Sequence, residues 1–198
     1  MNFISKRNQV YLQDNLVHKQ VKDPQAAALE ASILRALRGA GVAVPEVIAC
    51  RGNLLVLETL PGAPLPEVIE GGGYEPHALA LALCDWFAAF YAAAPAPTGA
   101  EGECRGDVNG RNFLYDGQKI YGVDFEARCH GPVSRDAGRL AAFIETYETR
   151  GGAVAEKQTA LSQAFMRLFS ARFRCGMEEI LAQREAELEA MRARRGRA

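Results

Sequence analysis

Apolar and polar positions alternate along the first 22 residues, the period of extended strands. Gln9-Val10-Tyr11-Leu12 and Leu16-Val17-His18-Lys19-Gln20-Val21 flank Asp14-Asn15, and such a polar pair between two β-rich runs predicts a hairpin. Asp23-Pro24 then reads as an N-cap followed by proline at the first helical position. Leu29, Ile33 and Leu37 recur every four residues as far as Gly39 and Gly41, which predicts an amphipathic helix and its stop. Pro45 opens a strand at 47–50, Arg51-Gly52-Asn53 turns, and Leu54-Leu55-Val56-Leu57-Glu58 is apolar enough to predict a strand buried on both faces.

Pro61-Gly62-Ala63-Pro64 breaks that pattern. Helix is predicted from there to Gly102, most clearly over 78–94, where Leu79, Leu83, Trp86, Phe87 and Phe90 share one side. Pro95, Pro97 and Gly99 close it. A second β-rich island follows: Phe113-Leu114-Tyr115, an Asp116-Gly117 turn, and Lys119 to Val123, a hairpin signature. Helices are predicted at 135–149, 154–174 and 177–194, with Phe165, Met166, Phe169 and Phe173 as core at helical spacing. The expected fold class is α+β, with a small β-rich part over 1–60 and a mostly helical part over 61–198.

Composition narrows the class. The 198 residues are 48% hydrophobic and 24% charged, a globular balance, and 23 basic against 24 acidic residues leave a net charge of −1. No global field therefore recruits nucleic acid, and no nucleic-acid partner is expected. The apolar runs are interrupted by Asp85, Glu30, glycine or proline, so no membrane span is expected, and residues 1–22 carry charges throughout, unlike a signal peptide. Five widely spaced cysteines without a CxxC pair suggest reduced thiols and a cytoplasmic location rather than a disulfide framework or zinc site. The arginine-rich end, 192–197, reads as a solvated tail. Only five of the basic residues are lysines, so Lys19 inside a strand stands out.

The densest polar cluster in apolar surroundings is Cys104-Arg105-Gly106-Asp107-Val108-Asn109-Gly110-Arg111-Asn112, followed by the hairpin and Asp124-Phe125-Glu126. A hairpin returns the chain to its starting edge, so Asn112 and Asp124 face each other across its mouth, with Asp107 just outside. Oxygen ligands from an Asn and an Asp suit Mg²⁺, which takes few protein ligands and shares substrate phosphates. A nearby carboxylate that binds no metal can orient a hydroxyl and accept its proton.

The pattern Gly-Asp-x-x-x-x-Asn, a short hairpin and Asp-Phe resembles the catalytic core of the protein-kinase-like phosphotransferases. With Asp136-Ala137-Gly138-Arg139-Leu140-Ala141 it is most similar to the aminoglycoside phosphotransferase and choline kinase branch. The resemblance spans residues 3 to 145 and implies a two-lobed fold and an ATP- and Mg²⁺-dependent transfer of phosphate to a hydroxyl. It implies Asp107 as the catalytic carboxylate, Asn112 and Asp124 as metal ligands, and Lys19, fixed by Glu30, on the α- and β-phosphates. The stretch Leu55 to Gly62 resembles the adenine-binding hinge, with backbone groups of Glu58 and Leu60 on the base, and Asp136 would brace the catalytic loop. Two departures stand out. Arg105 replaces the family's histidine, and the phosphate loop, Ile4-Ser5-Lys6-Arg7-Asn8, has no glycine, leaving Ser5 and its neighbours to supply donors. A separation of twelve positions from Asp124 to Asp136 leaves no room for a long activation segment, which favours a small-molecule acceptor. Only 62 residues follow Asp136, too few for the walls of a deep antibiotic pocket. A kinase-like binding module without activity, and a compact atypical protein kinase acting on a macromolecular partner, are the alternatives.

Overall fold

A computed structural model describes residues 2–3, 8–93, 103–125, 129–147 and 152–195. Five strands form the first sheet: β1 (Asn2–Phe3), β2 (Gln9–Gln13), β3 (Leu16–Gln20), β4 (Val47–Arg51) and β5 (Leu54–Glu58). They lie antiparallel in the order β1-β2-β3-β5-β4. The predicted hairpin joins β2 to β3. Asp14 and Asn15 both take positive φ, 50° and 58°, the left-handed pair that matches the twist of a two-residue hairpin loop.

Helix α1 (Pro24–Gly39) starts where predicted, the Asp23 side chain accepting a hydrogen bond from the Gln25 amide at 2.9 Å. Its inward face differs from the expected stripe. Leu29 is 60% exposed, while Ala27, Glu30, Ala31, Ile33, Leu34 and Leu37 are buried. A charge, Glu30, occupies the core face because Lys19 is there to meet it, and the apolar stripe is displaced accordingly. In β5 only Leu55 and Leu57 are fully buried; Leu54 and Val56 are half-buried, so one face of that strand, not both, packs into the core.

The second lobe begins with β6 (Ala63–Pro64), α2 (Leu65–Gly71) and α3 (Pro76–Ala93). Strand β7 (Glu103–Cys104) leads to a short 3-10 turn at Gly110–Asn112 and the hairpin β8 (Phe113–Tyr115) and β9 (Ile120–Gly122). Strand β10 (Cys129–His130) precedes α4 (Val133–Thr146), α5 (Gly152–Phe173) and α6 (Met177–Arg195). The predicted Asp116 turn closes the hairpin, its carboxylate accepting from the Gln118 and Lys119 amides at 2.9 Å. Two pairings went unforeseen: β6 joins β8 as a third strand, and β7 pairs with β10, setting Cys104 opposite Cys129 in the backbone register. Cys104 is disulfide-bonded, against the expectation of reduced thiols throughout; Cys50, Cys84 and Cys175 are free. A separation of 25 residues hid that register.

Helix α3 is long and apolar enough to cross a membrane by length and composition alone, contrary to the sequence expectation. Its apolar side chains fill the core instead. Leu79, Leu83, Trp86, Phe87 and Phe90 are all at most 4% exposed, and Trp86 stacks on Phe90 and meets Phe113 edge-on. The two lobes are tied at one carbonyl: Ala43, before β4, accepts from the Trp86 indole and from the Gly122 amide, both at 3.0 Å. The closing brackets of the predicted helix, Pro95, Pro97 and Gly99, lie outside the described residues, as does Ser5 with the rest of 4–7.

Candidate functional site

Strand β3 carries Lys19 on its inward face, 6% exposed, and α1 delivers Glu30 beneath it, 2% exposed. The Lys19 ammonium donates to Glu30 Oε1 at 3.0 Å and Oε2 at 2.9 Å, and to Asp124 Oδ1 at 2.9 Å. Glu30 Oε1 also accepts from the Phe125 amide at 3.2 Å, so one carboxylate ties the first lobe's lysine to the loop after β9. Burial pushes the Glu30 carboxyl above its ordinary value, and the Lys19 charge opposes it. Such a triad is weak evidence for stability, because removing two charges from water costs about what their attraction returns. It is strong evidence of positioning.

Asp124 adopts φ of +63°, the left-handed region that Asp tolerates better than most residues, and its side chain is 42% exposed. Asn112 lies across the hairpin mouth, its carbonyl accepting from the Val123 amide at 2.9 Å. Its side-chain amide nitrogen donates to the Asp107 carbonyl at 3.4 Å, which leaves the amide oxygen as the end that can serve a cation. One amide oxygen and one carboxylate, with no cluster of three His, Cys, Asp or Glu ligands among the described residues, is a donor set that fits Mg²⁺ only when phosphates complete it.

Asp107 is exposed, and its Oδ1 accepts only locally, from the Asn109 amide at 3.2 Å. The loop behind it is held from α4. Asp136, fully buried, accepts from the Arg105 amide at 2.6 Å, the Gly106 amide at 3.2 Å and the Tyr91 hydroxyl at 2.8 Å. Burial pushes its carboxyl up, and those donors oppose the push. Arg139, one turn on, donates to the Gly106 carbonyl at 2.9 Å. Asp136 sits where the sequence put it, bracing the loop.

Arg105, a departure from the expected motif, is built into the site. Its guanidinium is 1% exposed, donates to the carbonyls of Val123 and Asp124, and lies 4.3 Å from the centre of the Phe125 ring. Burial lowers its pKa, against the attraction of Asp107, Asp136, Asp124 and Glu30. Its Nε and Nη1 have no hydrogen-bond partner among the described residues. One cation thus stands behind four acids and holds the backbone of Asp124 in place.

In the stretch 55–62, which resembles an adenine-binding hinge, the Glu58 amide is committed to the Glu46 carbonyl at 2.9 Å, and the Glu58 side chain takes Arg38 at 2.6 Å. The Glu58 amide is therefore not the donor that this stretch would offer a ligand. The Thr59 hydroxyl donates to the Asn15 carbonyl at 2.8 Å, fixing this stretch against the β2–β3 turn.

The sequence predicted the last helix, α6, but not where it packs. α6 lies along α4 and walls a cavity of about 260 Å³ whose floor is loop 106–109, Asp107 included. Arg139 and Phe143 of α4, and Glu187, Met191 and Arg194 of α6, complete it. Arg194, expected in a solvated tail, pairs with Glu187 at 2.6 Å. The signal was Gly138: a Cβ there would come within 2.6 Å of the Arg184 nitrogen and 2.7 Å of the Ile180 carbonyl oxygen, so glycine is what admits α6.

No family model and no curated protein matches the sequence. Solved structures do. A choline/ethanolamine kinase family protein from Mesorhizobium loti matches at a TM-score of 0.56 and 16% identity, over 98% of this chain and 86% of that one. The ADP-bound aminoglycoside phosphotransferase APH(2'')-Ib matches at 0.60 and 12%, over 94% and 90%. The aminoglycoside phosphotransferase APH(3'')-Id from Streptomyces rimosus matches at 0.57 and 15%, over 95% and 92%. At these identities the likeness concerns the fold, which is the two-lobed kinase-like one that the sequence resembles.

Proposed function

We propose that the chain is an ATP- and Mg²⁺-dependent phosphotransferase that moves the γ-phosphate of ATP to a hydroxyl of a small molecule. The observation that carries this reading is the Lys19 ammonium, held within 3.0 Å of both Glu30 and Asp124 at the meeting of the two lobes. A buried lysine fixed that way is poised to meet phosphate oxygens, and the donor set of Asn112 and Asp124 suits the cation that travels with them. When bound, Mg²⁺ would neutralise charge on the transferring phosphates. The Glu58 carbonyl and the Leu60 amide would take the adenine edge, since the Glu58 amide is already occupied. Ser5 would serve the phosphates from the glycine-free loop.

Asp107 would face the acceptor. The hydroxyl oxygen forms its bond to the γ-phosphorus while the bond from that phosphorus to the β,γ-bridging oxygen breaks. ADP leaves with that electron pair, and the hydroxyl proton passes to the Asp107 carboxylate. The transfer is mostly a matter of positioning and charge, the work a rigidly braced loop performs. The test is Asp107→Asn. It keeps the local turn, because the amide oxygen can still accept from Asn109, and it removes the base. The expected outcome is retained ATP·Mg²⁺ binding with turnover, read as ADP release, lower by about 10²–10⁴-fold. Turnover unchanged by the substitution would remove Asp107 from the mechanism.

A further inference from the structure

The cavity beside Asp107 carries charges that speak to what enters it. Glu187 is 15% exposed at its side chain, and both of its oxygens are taken: Oε1 by Arg194 Nη2 at 2.6 Å, and Oε2 by Arg139 Nε at 3.4 Å. Arg139 is further anchored by its Nη1 bond to the Gly106 carbonyl. An ammonium approaching Glu187 would meet the two guanidinium charges already beside it. An anion would displace nothing, because each guanidinium has five N–H donors and the pairings above use only some of them. Both arginines keep open surface, 30% for Arg139 and 62% for Arg194. Phe143 and Met191 give the cavity an apolar side suited to a short carbon skeleton, and its 260 Å³ lies at the small end of ligand sites.

We propose that the acceptor is a small hydroxyl compound bearing an anionic group, a carboxylate or a phosphate ester, which Arg139 and Arg194 bind while its hydroxyl faces Asp107. This deepens the phosphotransferase reading and rests on it for the role of Asp107. Planar guanidinium pairs suit either anion by bidentate contact. The same lining disfavours a polycation, since Asp107 is the only lining carboxylate outside the arginine clasp.

Matched probes test this without nucleotide. Calorimetric titration with glycerate and with glycerol 3-phosphate should give affinities at least about tenfold above that for glycerol, the scale of one charge-assisted hydrogen bond. Which of the two binds tighter tells carboxylate from phosphate ester. Arg194→Glu, at an exposed position, should abolish that preference and turn the cavity toward the matched cation 3-amino-1,2-propanediol. A general loss of structure would weaken every probe alike and could not invert the order. Glycerol or 3-amino-1,2-propanediol binding wild type as tightly as glycerate and glycerol 3-phosphate, or an unaltered preference in Arg194→Glu, would overturn the proposal. Failure of the phosphotransferase reading shows separately, as no ADP release with any acceptor while the anionic probes still bind.

Discussion

A guanidinium with 1% exposure needs partners, and Arg105 finds two carbonyls and a ring face. Replacing it with methionine keeps much of the volume and removes the cation. Asp136 then loses its buried cationic neighbour, Glu30 and Asp124 keep only Lys19, and the Val123 and Asp124 carbonyls lose their donor. Breaking a buried charge arrangement from one side costs about 3–5 kcal/mol, so urea unfolding of Arg105→Met should show a loss of that order. Arg105→His, which can still donate to one of those carbonyls, should recover part of the stability and more of the nucleotide affinity. Equal stability in both variants would mean that the contacts of Arg105 are incidental. The Lys19–Glu30 pair calls for a paired design. Lys19→Met alone strands the Glu30 carboxylate and should cost about 3–5 kcal/mol, Glu30→Leu leaves Lys19 paired with Asp124 and should cost less, and the double variant should cost clearly less than the sum. Nucleotide titration should fail in all three, because folding tolerates an apolar replacement and phosphate binding does not.

Among the elements, what could be read from the sequence followed from how long each one is. Helices α3, α5 and α6 and the β8–β9 hairpin announce themselves by period and by turn residues such as Asp116-Gly117. Strands β6, β7 and β10 have two residues each, too short for any period, and exist only because the fold brings their partners alongside. Leu29 misled for a different reason: helical spacing identifies a stripe, but Lys19 pulled Glu30 onto the core face and turned Leu29 outward. The site residues were legible through their order along the chain, and Arg105 was legible only as a departure. The cavity wall was not legible, because nothing in the mixed charges of α6 says that its far end returns to Asp107. Gly138 was the one available clue, and it supports a prediction. In Gly138→Ala the new methyl meets backbone atoms of α6, which cannot swing aside as a side chain would. The variant should lose about 1–3 kcal/mol on thermal or urea unfolding. It should also bind the anionic probes more weakly while ATP·Mg²⁺ binding persists, because α6 walls the cavity beside Asp107 and carries none of Lys19, Asn112 and Asp124. Full acceptor binding in a destabilised Gly138→Ala would detach the wall from the crossing.

For the whole molecule, the two lobes meet through few direct polar links: the Ala43 carbonyl, and the contacts of Lys19 and Glu30 with the loop at 124–125. A ligand that engages both sides of that junction should therefore stabilise the fold as a unit. Mg²⁺ alone should not, since one amide oxygen and one carboxylate already paired with Lys19 hold it weakly. A non-hydrolysable ATP analogue with Mg²⁺ should raise the unfolding free energy by about 2.7 kcal/mol at one hundred times its Kd. For a chain of this size that corresponds to a rise in Tm of about 5–10 °C. Asp124→Asn is the informative variant. Asparagine tolerates the left-handed backbone at this position, whereas alanine would add about 1–2 kcal/mol of strain and confuse the readout. The fold, followed by far-UV circular dichroism, should survive, and the extra shift that Mg²⁺ adds to the analogue should vanish while the shift from the analogue without Mg²⁺ is unchanged or slightly larger. A full joint shift in Asp124→Asn would take the metal away from this residue. No shift in wild type, with or without Mg²⁺, would take the nucleotide away from the whole junction and leave a kinase-like fold used for binding alone, in which Lys19, Glu30 and Asp124 do no more than hold two lobes together.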